Sequence, residues 1–80
     1  MLEAIIREMQ ERTGRLVTFR ELRSLVPAGK EKFDTAVITL ARSGRISLDE
    51  HDFPGSLSIP ALRVLVHHDG AYFVGASFRR

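Results

Sequence analysis

The sequence predicts an α+β fold, three helices followed by a two-stranded antiparallel ribbon. Three observations lead there. Apolar residues recur at helical spacing through residues 2–43. The period then switches to alternation over 45–48 and 71–78. With 80 residues, 44% apolar and 28% charged, the chain has the composition of a folded protein and the length of one domain, 1–80.

Leu2, Ile5, Ile6 and Met9 fall at i, i+3, i+4 and i+7, one face of a helix over about 2–12. Thr13-Gly14 stops it, because glycine takes the left-handed conformation that ends helices. Leu16 and Val17 form a short apolar step. Thr18-Phe19-Arg20-Glu21 then fits a capping box, in which hydroxyl and carboxylate each satisfy an orphan backbone N–H. It opens a second helix over about 18–25, with Phe19, Leu22 and Val26 inward. Val26-Pro27 closes it, since proline crowds a helical residue before it. Ala28-Gly29 turns the chain. Phe33, Ala36, Val37, Leu40 and Ala41 form the cleanest stripe, a third helix over about 30–43 that ends at Ser43-Gly44. Its opposite face carries Glu31, Lys32, Asp34, Thr35, Ile38, Thr39 and Arg42.

Arg45-Ile46-Ser47-Leu48 and Ala71 to Phe78 are expected to pair as the ribbon. In the second run Tyr72, Val74, Ala76 and Phe78 share one face, and Phe73, Gly75 and Ser77 the other. Asp69-Gly70 supplies the turn before it. About 20 residues lie between the runs, long for a hairpin loop. Within this insertion Pro54-Gly55 breaks the chain, and Ser58-Ile59-Pro60 has the form of a helix start. Leu62, Leu65 and Val66 would give that short helix its inner face.

Composition excludes several classes. The absence of cysteine removes disulfide scaffolds, cysteine zinc sites and thiol nucleophiles. No apolar run approaches the ~18 residues of a membrane span. Leu2 to Met9 is too short and too charged for a signal peptide, so a cytoplasmic protein without membrane contact is expected. Nothing has the form of a nucleophile elbow, a phosphate-binding glycine loop or a paired catalytic site, so no enzyme is expected. The net charge is only +2, but it is unevenly spread. Residues 1–45 carry nine bases against six acids. Residues 46–70 carry Arg63 against Asp49, Glu50, Asp52 and Asp69, and Arg79 and Arg80 end the chain.

Three helices followed by a ribbon resembles the winged helix-turn-helix domain. Thr18 to Leu22 resembles its capped second helix, and Lys30 to Arg42 its recognition helix. Leu40-Ala41-Arg42-Ser43-Gly44-Arg45-Ile46 is similar to the passage from that helix into the first wing strand. The resemblance covers about the first 48 residues and the last strand. It implies binding of double-stranded DNA through the third helix, in regulation of transcription. The third helix would enter the major groove with Thr35, Thr39 and Arg42, and Thr18, Arg20, Lys30, Lys32 and Arg45 would grip the backbone. No cofactor or metal is implied. A module this small would bind as a homodimer or within a larger protein assembly. The alternative is a winged-helix module that binds protein. The chain departs from the family pattern in its long acidic connection, 49–69, and in Pro27 and Gly29 before the third helix.

Other residues keep two readings. Asp49-Glu50-His51-Asp52 and His67-His68-Asp69 form a polar surface loop, a ligand set brought together at the ribbon tip, or a protein-binding surface. Phe53-Pro54 anchors the insertion onto the core, or Phe53 docks into a partner. Ile38 packs within the chain, meets a second subunit or touches a thymine methyl. Either Tyr72 or Phe73 must face away from the helices, under cover from 57–66. Arg79 and Arg80 are a frayed end or phosphate contacts.

Overall fold

The computed structural model describes residues 1–79 and has α+β architecture, with an antiparallel sheet packed on helices. Arg80 lies outside the described residues. The three expected helices are α1 (Leu2–Gln10), α2 (Phe19–Leu25) and α3 (Lys30–Arg42). The insertion contains a 3-10 turn (Pro54–Ser56) and α4 (Ile59–Val64). The strands are β1 (Val17–Thr18), β2 (Ile46–Glu50), β3 (Val66–His68) and β4 (Ala71–Phe78).

The helix ends follow local chemistry. Thr18 is the N-cap of α2, and its hydroxyl accepts from the Glu21 N–H at 3.2 Å. The reciprocal half of the expected capping box does not form, because Arg12 and Arg15 draw the Glu21 carboxylate away at 3.0 and 2.8 Å. At the end of α3, Gly44 takes φ +78°. The Arg45 N–H bonds the Leu40 carbonyl and the Gly44 N–H that of Ala41, both at 3.1 Å. This paired closure satisfies the last carbonyls and aims the chain into β2.

β4 is the central strand, with β2 on one edge and β1 on the other. β3 pairs with Ala71 to Phe73 of β4. Because β2 already reaches Phe73, β3 must share the edge that β1 occupies only at Gly75 and Ala76. The Leu16-Val17 step thus ends in a strand, and the ribbon is a four-stranded sheet. Val66, expected on the inner face of the short helix, belongs to β3. Asp69 (φ 51°) and Gly70 (φ 77°) form a two-residue hairpin turn, and such a turn demands a strand on each side. α4 itself contributes no buried residue; Leu65 and Val66 are buried just beyond it.

A bulge corrects the expected faces of β4. Asp49 pairs with Gly75 but Glu50 pairs with Phe73, leaving Val74 as the extra residue. Ala76 and Phe78 face the core, and so does Phe73. Tyr72 falls on the other side, stacked on His67 at 4.4 Å. The core gathers Ile5 and Met9 of α1, Phe19 and Leu22 of α2, Phe33, Val37 and Leu40 of α3, and Val17, Ile46, Val66 and Ala76 of the sheet. Each large side chain withdrawn from water contributes about 1.5–3 kcal/mol. Ile38 packs against this cluster. Phe53 does not anchor the insertion: it is 74% exposed.

Arg23 anchors the insertion instead. Its Nε donates to the Val64 carbonyl at 3.0 Å, and its Nη2 to Asp34 Oδ1 at 2.6 Å and the Leu65 carbonyl at 3.4 Å. Its guanidinium lies over the Phe33 ring, 4.4 Å from the centroid. Two predictions follow from this packing. Arg23→Met keeps an apolar stem over Phe33 but loses the carbonyl bonds, so hydrogen exchange should accelerate at residues 61–68 while the α1 amides keep their protection; equal protection in both proteins refutes the anchor. Gly75→Ala should cost about 1–3 kcal/mol in urea unfolding. A Cβ there would run into the Val17 carbonyl oxygen, a backbone atom that cannot swing aside.

Candidate nucleic-acid interface

Burial of Phe33, Ala36, Val37 and Leu40 fixes the rotation of α3 about its axis. That rotation leaves Glu31, Lys32, Thr35, Thr39 and Arg42 exposed as one outward band. Beside the band, Met1 and Leu2 of the neighbouring chain start border a shallow groove of about 590 Å³ with Glu31, Lys32, Thr35, Ala36 and Thr39. The Thr39 hydroxyl donates to the Thr35 carbonyl at 2.9 Å, which spends its hydrogen and leaves it only acceptor capacity.

The eight residues expected to meet DNA divide into three groups. Lys32, Thr35, Thr39 and Arg42 share the outward band. Arg45 stands just beyond it, in a groove of about 570 Å³ between α1 and the end of α3 that Thr39 also lines. Lys30 points to the opposite flank. Its ammonium donates to Asp34 Oδ2 at 2.6 Å and to the Leu65 carbonyl at 3.2 Å. Thr18 and Arg20 line a separate cavity of about 220 Å³ with His51, Leu57, Ala61 and Val64, under the insertion.

Ion pairing decides which cations are available. Arg12, Arg15, Arg23 and Lys30 all lie within 4 Å of carboxylates. Among the described residues, Arg7, Arg20, Lys32, Arg42, Arg45, Arg63 and Arg79 have no such partner. Asp34 does not oppose an anion on α3: its side chain is 18% exposed and held between Arg23 and Lys30. Glu31 remains the acid of the band.

Two bases reach this end of the molecule from distant sequence. Arg7 lines the same groove as Arg45, and the Arg79 N–H donates to the Arg45 carbonyl at 3.0 Å. Arg79 is therefore tied at its backbone. The sequence signal for Arg7 was its place beside Ile6 on the helix flank, readable only once α1 and α3 are packed.

The acid and histidine clusters flank the same strand residue, Tyr72, without forming a ligand set among the described residues. The His51 N–H bonds the Tyr72 carbonyl at 2.8 Å, and its Nδ1 accepts from the Phe53 N–H at 3.1 Å. His67 stacks on Tyr72, while His68 lies 3.2 Å from Asp69. Among the described residues no three of these groups form a set that would hold a metal ion. Asp49, Glu50, Asp52 and Asp69 are exposed at the end of the sheet away from Arg45 and Arg79. Among the described residues, no helix is long and apolar enough to cross a membrane. No family model, curated protein or solved structure matches the chain.

The Arg15 hydrogen bond, with Arg12 behind it, holds the Glu21 carboxyl below its ordinary value. A carboxyl lowered on folding stabilises the protein above the usual glutamate range, and that contribution is lost as pH falls through it. Glu21→Gln should therefore narrow the gap between urea midpoints measured at pH 7 and pH 3. An unchanged gap means the network contributes nothing to acid stability.

Proposed function

We propose that the chain is a winged-helix domain that binds double-stranded DNA through α3. The observation that carries this reading is the outward band of α3, where Lys32 and Arg42 have no acid partner among the described residues and Asp34 is neutralised from behind. The topology supports it: a strand between the first two helices joins the edge of the last strand, giving the order β1-β4-β2.

The mechanism uses α3 as a probe of the major groove, which is wide enough for one helix. Arg42 offers a planar fork that matches two acceptors on a guanine edge or a phosphate. Thr35 and Thr39 are short, so the backbone of α3 can approach the bases. Lys32 at the start of the band and Arg45 just beyond its end meet phosphates. Lys30 is held by Asp34 and the Leu65 carbonyl, and Thr18 and Arg20 lie beside the insertion, so these three stand apart from the α3 band. One helix supplies few contacts, so useful affinity requires a second copy or a larger assembly. Regulation of transcription in the cytoplasm is the role this module would serve.

A protein-binding module is the second reading. Phe53 and Ile59 favour it, at 74% and 68% exposed on the insertion.

Fluorescence anisotropy with a labelled random-sequence duplex at 50 and 200 mM salt tests the proposal. Phosphates neutralised at Lys32, Arg42 and Arg45 alone give a log–log salt slope of about −2.7. Lys32→Ala and Arg42→Ala should each flatten it by about 0.9. Absence of binding at 50 mM by folded protein transfers the assignment to the protein-binding module.

A further inference from the structure

We propose that Arg7 and Arg79 complete a phosphate-binding surface with Arg45, so that duplex DNA crosses the α1 side of the molecule and leaves the acidic sheet tip in solvent; this rests on the DNA-binding reading above.

The fold brings Arg7 and Arg45 into one groove and holds the backbone of Arg79 against that of Arg45. α1 buries Ile5, Ile6 and Met9, which turns Glu3, Arg7 and Gln10 along the rim of the groove it shares with α3. Gly44 and the paired carbonyl closure of α3 direct Arg45 to the same groove. The backbone bond from Arg79 to Arg45 extends the sheet by one step and sets Arg79 beside it. All three side chains lack an acid within salt-bridge distance among the described residues, whereas Arg12, Arg15 and Arg23 elsewhere are paired. Glu3 is the single acid among the residues lining the groove.

The groove also shares Thr39 with the outward band of α3, so the two basic surfaces are continuous. The opposite end of β2 and β4 is unsuited to a polyanion. Asp49 and Glu50 end β2, Asp52 follows, and Asp69 occupies the hairpin turn. Glu50 lies five steps along the strand from Arg45, about 16 Å at the usual rise. That exceeds the ~10 Å over which 0.1 M salt screens charge. The arginines therefore act on a phosphate backbone without cancellation by the tip, and a duplex laid across both ends would meet repulsion at one of them.

The test compares full-length variants by anisotropy on the same duplex, each checked for folding by circular dichroism. Arg7→Gln/Arg79→Gln should flatten the salt slope by about 1.8, two phosphates' worth. Arg63→Gln, an exposed arginine on α4, should leave the slope unchanged. Neutralising the tip with Asp49→Asn/Glu50→Gln/Asp52→Asn should alter affinity less than about twofold, as expected for charges beyond the screening length. The proposal is overturned by a full slope in the Arg7/Arg79 variant, by an equal effect from Arg63→Gln, or by tenfold tighter binding on neutralising the tip. If Arg42→Ala flattens the slope and the Arg7/Arg79 variant does not, this inference alone fails. If folded wild-type protein binds no duplex, the DNA-binding reading fails and takes the inference with it.

Discussion

The guanidinium of Arg23 joins parts of the molecule that have little else in common. It stacks on Phe33 of α3, pairs with Asp34 at 2.6 Å and donates to the Val64 and Leu65 carbonyls that end α4. An arginine suits this position, because its planar fork serves several acceptors at once and its face lies flat on an aromatic ring. Without it the Val64 carbonyl would lose its donor and the Leu65 carbonyl would keep only Lys30, where Leu65 and Val66 enter the core. The same contact sets α2 against α3 and fastens a segment whose own helix buries nothing. It also neutralises Asp34, which shapes the electrostatics of the exposed side of α3.

From that anchor the sheet follows. β1 is two residues long and covers little of β4. The uncovered edge would leave backbone groups unpaired, and β3 fills it because Arg23 delivers Val66 to the right place. The bulge at Val74 then reverses the alternation of β4, so that Phe73 meets Val66 in the core and Tyr72 goes outward to stack on His67. Gly75 sits between these devices, where β1 and β4 approach too closely for any side chain.

Charge is sorted by the same architecture. Acids that precede or follow arginines on the helices are consumed in local pairs, as Glu8 and Glu21 are by Arg12. The acids of the insertion collect at one end of the sheet, and the unpaired Arg45 and Arg79 stand at the other. A net charge of +2 therefore conceals a strongly polar molecule. Such an arrangement orients a charged partner more than it adds affinity.

Helices α1, α2 and α3 were legible because each buries a stripe at a period near 3.6, and the stripe survives whatever it packs on. Thr18, Gly44 and the Asp69-Gly70 turn were legible because their chemistry is local. β1 and β3 were not, since strands of two and three residues show no period. The bulge was invisible because an extra residue leaves no mark in composition. The outward band of α3 could be read from the helix alone, but the diversion of Lys30 to Asp34 and Leu65 could not. Nor could the approach of Arg7 to Arg45 across one groove, since their helix and turn meet only after the core has closed. Sequence by itself determined the elements whose stabilising contacts lie within a few residues. Tertiary structure decided which side chains share a surface, because that depends on long-range packing around Phe33, Val66 and Ala76.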